Sequence, residues 1–183
     1  MTKRRPFTLR RMAQIALMAV VLSICAWITV PFTVPFTMQT FAVFAALLLL
    51  GGVDGTIAIG LYLLLGLVGL PVFSGFRGGL GHLIGPTGGY LIGFLCTGMA
   101  HILLQNCMER LRTPLRIALL MAEHCLCYLF GTLWFVAVFH SRGTHYGFFA
   151  ALGLCVLPYV LPDLVKIALA ELVSRRVRPL LPR

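Results

Sequence analysis

The sequence predicts an all-α integral membrane protein with six transmembrane helices, both termini in the cytoplasm, and external loops rich in glycine and proline. Three observations predict this fold class: the high apolar content, the long uncharged intervals, and the positions of the basic residues. Hydrophobic residues make up 60% of the 183 residues and charged residues 11%, against about 25% charged in an ordinary soluble domain. A soluble domain of this length needs more charged surface than this sequence supplies.

The uncharged intervals are long enough to hold membrane-spanning helices. No Asp, Glu, Lys or Arg occurs between Arg11 and Asp54, between Asp54 and Arg77, or between Arg77 and Glu109. A membrane helix needs about 20 predominantly apolar residues to cross about 30 Å of hydrocarbon. We therefore expect residues 1–183 to form a single transmembrane domain.

The basic residues are concentrated beside apolar runs, as they are at the cytoplasmic ends of membrane helices. Only Arg77 and Arg142 fall on the external side of a six-span arrangement. The twelve on the other side are Lys3, Arg4, Arg5, Arg10, Arg11, Arg110, Arg112, Arg116, Arg175, Arg176, Arg178 and Arg183. This asymmetry predicts that both termini are cytoplasmic, and it accounts for the net charge of +10 without a nucleic-acid partner.

Prolines and glycines divide the chain into predicted elements. Pro31 ends the first helix, and Pro31 with Pro35 makes the following connector extended. The glycine-rich residues 72–86 are expected to be buried in protein or to line a cavity, because such backbone is not stable against lipid. Pro158 and Pro162 interrupt the last apolar region. The predicted helices are 9–30, 38–52, 56–71, 87–107, 117–139 and 159–177, with a short helix or re-entrant segment at 147–157.

Asp163 and Lys166 are the most informative residues because both are ionisable and lie inside a predicted span. They are three residues apart and share one helix face. Counting from Arg175 at 1.5 Å per residue places Asp163 about 18 Å and Lys166 about 13 Å from the cytoplasmic boundary. Ionisable groups at this depth mark functional sites. Pro158 and Pro162 favour a ligand site over the alternative, a structural ion pair.

Other polar residues inside or between the spans have less specific interpretations. Arg77, in the glycine-rich loop, either meets an anionic substrate or lies at the lipid headgroups. His101 and His124 are interpreted as structural histidines because neither has an acidic or Cys partner at motif spacing. Glu123 is expected to reach the membrane surface, or to pair with Arg116 or a neighbouring basic residue.

Small residues recur at helical spacing in two predicted helices. Gly89 and Gly93 open the fourth helix, and Ala16, Ala19 and Ser23 line the first. Small residues let membrane helices approach each other closely. Packing within the chain is the simpler interpretation of this spacing.

No arrangement typical of catalysis or metal binding stands out. Cys125 and Cys127 are separated by one residue, not by the two of common zinc and redox pairs. The glycine-rich residues 75–89 match neither a Walker A nor a Rossmann motif. We expect no catalytic residue, metal or cofactor. A membrane-embedded enzyme and a structural membrane anchor are the alternatives, and Asp163 and Lys166 argue against the anchor.

Four stretches resemble the BioY family, the biotin-specific substrate-binding (S) subunits of energy-coupling factor (ECF) transporters. They are VPFTMQTFAV at 34–43, GLVGLPVFSGFRGGLG at 66–81, GPTGGYLIGF at 85–94 and LPYVLPDLVK at 157–166. The resemblance extends over about residues 10–172. It implies biotin uptake by a multi-pass protein of the bacterial inner membrane, with an S subunit for another small vitamin as the alternative.

The resemblance also implies a binding site and partners. Asp163 and Lys166 match the family's Asp and Lys in the last helix, although Pro162 stands where the family usually has Gly. The implied substrate-binding residues are Asp163, Lys166, Arg77, Gln39, Thr87 and Tyr90. Because the chain carries no ATPase motif, the resemblance implies a transmembrane coupling protein and two cytoplasmic ATPases as partners.

The coupling protein would dock on the first helix of such a subunit. The implied interface residues are Ala16, Ala19 and Ser23. The family often carries Ala-x-x-x-Ala on this helix, and the nearest equivalent here is Ala19-x-x-x-Ser23.

Overall fold

The computed structural model describes residues 8–31, 34–108 and 110–180 and is predominantly helical. Several positions used above lie outside the described residues: Lys3, Arg4, Arg5, Phe32, Thr33, Glu109 and Arg183. The helices are α1 (Leu9–Trp27), α2 (Gln39–Leu50), α3 (Gly52–Leu67), α4 (Leu80–Leu83), α5 (Gly88–Met108), α6 (Thr113–Ser141), α7 (Phe148–Cys155) and α8 (Leu157–Val177). The short strands β1 (Thr29–Val30) and β2 (Phe36–Thr37) and a 3-10 turn (Arg178–Leu180) complete the described structure.

Among the described residues, three helices are long and apolar enough to cross a membrane: α1, α5 and α6. The consecutive helices α7 and α8 make a fourth candidate span, bent by 46° at the break between them. Helices α2 and α3 are apolar but have only 12 and 16 residues, about 18 and 24 Å of helix. The structure therefore contains three or four candidate spans by length, and six spans remain a prediction.

The connector after α1 forms a β-hairpin in place of the predicted extended loop. Thr29 pairs with Thr37 and Val30 with Phe36 in antiparallel register. This pairing ends α1 at Trp27, three residues before the predicted end. Helix α2 then starts at Gln39, one residue after its predicted start.

Helix α3 begins four residues before its predicted start. Gly51, with φ of +87°, separates it from α2, and the N–H of Gly52 donates to Gln105 Oε1 at 2.9 Å. Asp54 lies in the first turn, where a carboxylate is favourable beside the helix dipole, and pairs with Arg11 Nη2 at 2.5 Å. Residues 53–55, which lay between the predicted helices 38–52 and 56–71, belong to the first turn of α3, because the chain turns at Gly51 alone.

Helix α8 continues through Pro162, in agreement with the predicted helix 159–177. The chain bends at Val156, between α7 and α8. Pro158 lies in the first turn, where its missing N–H removes no intrahelical hydrogen bond. Pro162 then removes one bond, to the carbonyl of Pro158, which the helix tolerates.

Helices α5 and α6 pack closely because α5 presents glycines to α6. A Cβ on Gly89 would lie 2.2 Å from Trp134 Cβ, and one on Gly93 would lie 3.0 Å from the Cα of Cys127. There is no room for either methyl group. The predicted packing role of Gly89 and Gly93 within the chain is confirmed.

Polar contacts hold the helices together at one end of the bundle, which we call the arginine end. It contains the start of α1, the α2–α3 and α5–α6 connections, and the end of α8. Arg11 joins α1 to α3 through Asp54, and Arg116 joins α6 to α8, with its Nε 3.0 Å from Glu171 Oε1. The opposite end, which we call the loop end, contains the β-hairpin, residues 68–87 and the α6–α7 turn.

The predicted pairing of Glu123 with Arg116 is wrong. Glu123 is fully buried and its Oε2 lies 3.0 Å from His101 Nδ1, whereas Arg116 pairs with Glu171. The reason is that α5 packs along α6 and brings His101 to the same depth as Glu123. Arg116 is instead opposite α8.

Candidate functional site

A cavity lies at the loop end of the bundle, between α5, α6 and α8 and the loops that cover them. The space between its walls is about 610 Å³, including space open to solvent. Its lining includes Val34, Thr37, Gln39, Ser74, His82, Thr87, Tyr90, Phe94, His124, Cys127, Tyr128, Tyr159, Asp163 and Lys166. Five of the six predicted substrate-binding residues are among them.

Asp163 and Lys166 form a buried ion pair in the wall of this cavity. They are 5% and 6% exposed, and Lys166 Nζ donates to Asp163 Oδ1 at 2.8 Å. The spacing of three residues on α8 makes this contact possible. The pair is therefore both a structural ion pair and a group that a ligand in the cavity can reach, so the two alternatives drawn from the sequence are not exclusive.

Two residues of α6 complete the environment of the Asp163 carboxylate. Tyr128 Oη donates to Asp163 Oδ2 at 2.6 Å, and His124 Nε2 lies 3.3 Å from the same oxygen. Sequence reasoning took His124 as structural and did not select Tyr128. Their spacing of four residues places both on one face of an otherwise apolar helix, and this pattern was the available signal.

Aromatic rings surround the charged groups. Lys166 Nζ lies 3.7 Å from the centre of the Phe36 ring, a cation–π geometry. The His124 ring meets Tyr128 at 4.5 Å and Phe44 at 5.7 Å, centre to centre and edge to face. These contacts fix the orientation of the polar groups and give the cavity flat apolar walls.

Gln39 is held in place at the first turn of α2. Its Oε1 accepts from Thr37 Oγ1 at 3.0 Å, and its Nε2 donates to Tyr62 Oη at 2.6 Å. Tyr62 is completely buried. Gln39 therefore presents a fixed amide to the cavity, with one lone pair and one N–H still available to a ligand.

Tyr90 and Thr87 lie where the glycine-rich loop enters α5. Tyr90 Oη lies 3.2 Å from Thr132 Oγ1, and its ring packs on Gly131, where a Cβ would lie only 2.2 Å from Cδ1. Thr87 precedes the first residue of α5, and its carbonyl accepts from the Tyr90 N–H at 3.1 Å. A larger residue than glycine at position 131 would push the Tyr90 ring into the cavity.

The glycine-rich loop covers the cavity and is anchored to two helices. Trp27 Nε1 donates to the Pro71 carbonyl at 2.9 Å, and Trp134 Nε1 donates to the Gly85 carbonyl at 3.0 Å. Its residues Ser74 and His82 reach the cavity. The predicted role of this segment, backbone that lines a cavity, agrees with its position.

Arg77 is exposed on the same loop and is not among the cavity-lining residues. Its charge still acts on the site, since burial first and Arg77 second lower the pKa of His82 below the usual value for histidine. His82 stacks on Phe73 at 5.3 Å. His82 lines the cavity, and Arg77 lies on the same loop outside the lining.

The first connector is also tied across the cavity. Tyr159 Oη on α8 donates to the carbonyl of Val34, and the Tyr159 ring stacks with Phe36 at 6.3 Å. Both contacts join β2 and its preceding residues to α8. They close one side of the cavity beside Asp163 and Lys166.

The three predicted interface residues of α1 do not share one surface. Ala19 and Ser23 are buried at 1% and 5% exposure, and Ser23 Oγ donates to the Ala19 carbonyl. Only Ala16 is exposed, on the same face as Leu17 and Val20. This corrects the placement of the predicted interface: Ala19 and Ser23 pack against the rest of the bundle, so a partner can reach α1 at Ala16 but not at those two residues.

The fold and the cavity define a class: a helical protein with apolar helices long enough to cross a membrane, and with a cavity lined by a buried charged pair and aromatic rings. The chain belongs to the BioY family, whose model, described as "BioY family", matches residues 1–183. This match confirms the resemblance found in the sequence.

Relatives and a solved structure agree with this assignment. The chain is 35% identical to the biotin transporter BioY of Thermotoga maritima over 173 residues, 94% of this chain and 98% of that protein. It is 35% identical to the probable biotin transporter BioY of Pyrococcus horikoshii over 171 residues, 92% and 96% of the two chains. The crystal structure at 2.1 Å of the S-component for biotin from an ECF-type ABC transporter matches with a TM-score of 0.82 and 25% identity over 95% of both chains.

The comparisons decide two predictions at the level of the family. BioY is a family of transporter components and not of enzymes, which confirms the prediction of a non-enzymatic protein. The helical membrane-protein fold is confirmed by the match to an S-component. The match to an S-component does not decide the number of spans or the orientation in the membrane, and both stay predictions.

Proposed function

We propose that this protein captures biotin at the membrane as the S subunit of an ECF-type transporter. The relatives are named biotin transporters, and the matched structure is an S-component for biotin. The single observation that carries the proposal on this chain is the buried Asp163–Lys166 pair in the cavity wall. A ligand with one polar ring, an apolar body and an anionic tail suits that arrangement.

The ureido ring of biotin has two N–H donors, and the cavity offers acceptors for both. A carboxylate has about four lone-pair sites, and described residues use three of those on Asp163: Lys166, Tyr128 and His124. The fourth site is available to one ureido N–H. The remaining lone pair of Gln39 Oε1 is the proposed acceptor for the other.

The rest of the ligand would fill the aromatic part of the cavity and meet a cation. The fused rings would pack between Tyr90 and Phe94, where burial of apolar surface contributes about 25 cal/mol per Å². Thr87 is the proposed hydrogen-bond donor beside them. The carboxylate would meet either Lys166 in the wall or Arg77 at the rim.

Calorimetry on the purified protein tests this proposal. Biotin is expected to bind with one ligand per chain, and desthiobiotin, which keeps the ureido ring and carboxylate but lacks the sulfur ring, is expected to bind more weakly. Thiamine and riboflavin serve as controls because neither has the fused ureido ring. Binding of another vitamin with no binding of biotin would replace this proposal with the alternative of a different vitamin.

Energy for uptake is proposed to come from partners. The sequence contains no ATPase motif, so ATP hydrolysis requires other chains: a transmembrane coupling protein and two cytoplasmic ATPases. We further propose that the coupling protein contacts the exposed face of α1 at Ala16, Leu17 and Val20, because Ala19 and Ser23 are buried. Small Ala16 would allow the close helix approach typical of membrane interfaces.

We propose a six-span path with both termini cytoplasmic, in a bacterial inner membrane. α2 and α3 would be the second and third spans, shortened by the hairpin and the glycine-rich loop at the loop end. The arginine end would face the cytoplasm, and the cavity would face outwards. The support is the distribution of basic residues, since eight described arginines lie at the arginine end and Arg77 and Arg142 at the other.

A further inference from the structure

A second cavity lies at the arginine end, and the biotin site does not use it. Its volume is about 310 Å³, including space open to solvent. α2, α5, α6 and the 3-10 turn after α8 enclose it. Its lining is Leu48, His101, Gln105, Met108, Arg116 and Arg178. Along α5, Phe94 lines the first cavity and His101 lines the second, seven residues and about 10 Å further along the helix.

The surroundings of this cavity carry a surplus of positive charge. The arginines of this end, within the described residues, are Arg10, Arg11, Arg110, Arg112, Arg116, Arg175, Arg176 and Arg178. Asp54 is paired with Arg11, and Glu123 is paired with His101. Glu171 is shared between Arg116 and Arg175. An anion in the cavity would thus be attracted rather than repelled.

Arg116 keeps donor capacity for such an anion. Glu171 accepts from Arg175 Nε at 2.7 Å and from Arg116 Nη2 at 3.3 Å, so two guanidinium groups share one carboxylate. Arg116 Nε is buried and makes no hydrogen bond within the described residues, although it lies 3.0 Å from Glu171 Oε1. A guanidinium has five N–H donors, and Glu171 leaves most of those of Arg116 unused.

Two buried side chains add to the polar wall. His101, 2% exposed, uses Nδ1 for Glu123, and its ring borders the cavity. Gln105 Oε1 accepts the Gly52 N–H and its Nε2 donates to the Ile102 carbonyl at 3.3 Å. The second N–H of that amide remains for a ligand.

From this geometry we infer that the cavity at the arginine end binds a phosphate group, held by Arg116 and Arg178 beside His101 and Gln105. Guanidinium groups match phosphate oxygens in charge and geometry. The cavity lies between helix ends, where the proposed six-span path would place the lipid phosphates. Basic pockets between membrane helices bind the headgroups of anionic lipids. The source of the phosphate is either such a headgroup or a free anion.

The test uses the full chain purified in a neutral detergent, with three additives in separate arms: phosphatidylglycerol, phosphatidylcholine and inorganic phosphate. Native mass spectrometry counts bound molecules, and the thermal unfolding midpoint reports stabilisation. Phosphatidylglycerol is expected to bind and raise the midpoint, and phosphatidylcholine is not. A response to inorganic phosphate as well would identify a free anion as a sufficient ligand, and its absence would identify the lipid headgroup.

Two variants locate the site. Arg178→Gln removes a cavity arginine and is expected to weaken phosphatidylglycerol binding about tenfold. The matched control Arg176→Gln removes the same charge from an exposed position of the same helix end, outside the cavity, and is expected to bind as the unmodified protein does. Leu48→Phe keeps every charge but fills the cavity, and is expected to weaken binding too. All three should retain biotin binding.

Equal loss in Arg178→Gln and Arg176→Gln would overturn the inference, because general attraction to the basic surface would then suffice. Unchanged binding in folded, monodisperse Arg178→Gln and Leu48→Phe would also overturn it. So would the absence of binding in the anionic lipid and phosphate arms.

Discussion

Asp163 is stable inside the bundle because described side chains donate to both of its oxygens. Lys166 binds Oδ1, and Tyr128 and His124 surround Oδ2. An ionised carboxylate without such partners would be costly at membrane depth. The same arrangement leaves one acceptor position of the Asp163 carboxylate unused. The carboxylate, whose charge these partners compensate in the absence of a ligand, could therefore also accept a hydrogen bond from a ligand in the cavity.

Asp163→Asn is expected to weaken biotin binding by about ten- to a hundred-fold. The amide keeps the shape but loses the charged acceptor, and a hydrogen bond to a charged group is worth about 1.5–3 kcal/mol. The measurement is a calorimetric titration of folded, monodisperse variant against the unmodified protein. Unmodified affinity in Asp163→Asn would return the Asp163–Lys166 pair to a purely structural role.

The residue that meets the biotin carboxylate can be identified by pairing two variants with two ligands. If Lys166 holds the carboxylate, Lys166→Met should weaken binding of free biotin about tenfold more than binding of a biotin amide. If Arg77 holds it, Arg77→Gln should produce that difference and Lys166→Met should affect both ligands alike. If each variant binds free biotin and the biotin amide with the same ratio of affinities as the unmodified protein, neither Lys166 nor Arg77 makes a charged contact with the carboxylate.

At the residue scale, the sequence predicted the local part of the site and missed the distant part. Asp163 and Lys166 are neighbours on one helix, so their contact follows from spacing alone. Tyr128 and His124 are 35 and 39 positions from Asp163, and only the packing of α6 against α8 brings them together. A single sequence contains no signal for that packing beyond their shared helix face.

Helix positions were predictable to within a few residues, and the errors have common causes. Apolar runs located every long helix, because membrane length and hydrophobicity are local properties. The ends of α1 and α3 were misplaced where a hairpin and a single positive-φ glycine decided the boundary. The predicted boundary between the segment 147–157 and the helix 159–177 lies close to the observed bend at Val156, and α8 tolerates the one hydrogen bond that Pro162 removes near its start.

Helix α1 has an inner and an outer face, and only the outer face is accessible to a partner. Ala19→Leu would force a larger side chain into a packed interface, where Ala19 is 1% exposed, and is expected to lower the free energy of unfolding by about 1–3 kcal/mol. Thermal or denaturant unfolding in detergent measures it.

Ala16→Leu is the matched variant on the outer face of the same helix. It is expected to leave stability and biotin binding unchanged and to reduce co-purification with the coupling protein. Unchanged co-purification would exclude Ala16 from the interface. Loss of biotin binding in Ala16→Leu would contradict the separation of the two faces.

At the scale of the whole molecule, the two ends of the bundle have different chemistry. The loop end contains the β-hairpin, the glycine-rich loop and the large cavity, and the arginine end contains the ion pairs that join the helices. Helices α2 and α3 are short but still connect the two ends. The β-hairpin and the glycine-rich loop, rather than longer helices, complete the loop end. The large cavity and most of the positive charge are thus separated along the bundle axis.

This separation makes the orientation testable. Tags before Lys3 and after Arg183 are both expected on the cytoplasmic side, because the proposed six-span path places twelve of the fifteen basic residues there. A tag inserted at Gly143, in the turn after α6, is the control and is expected outside, because α6 runs from the arginine end to the loop end. A membrane-impermeant label applied to intact and permeabilised cells measures each position. Labelling of either terminus in intact cells would contradict the orientation, and labelling of all three tags alike would contradict the six-span path.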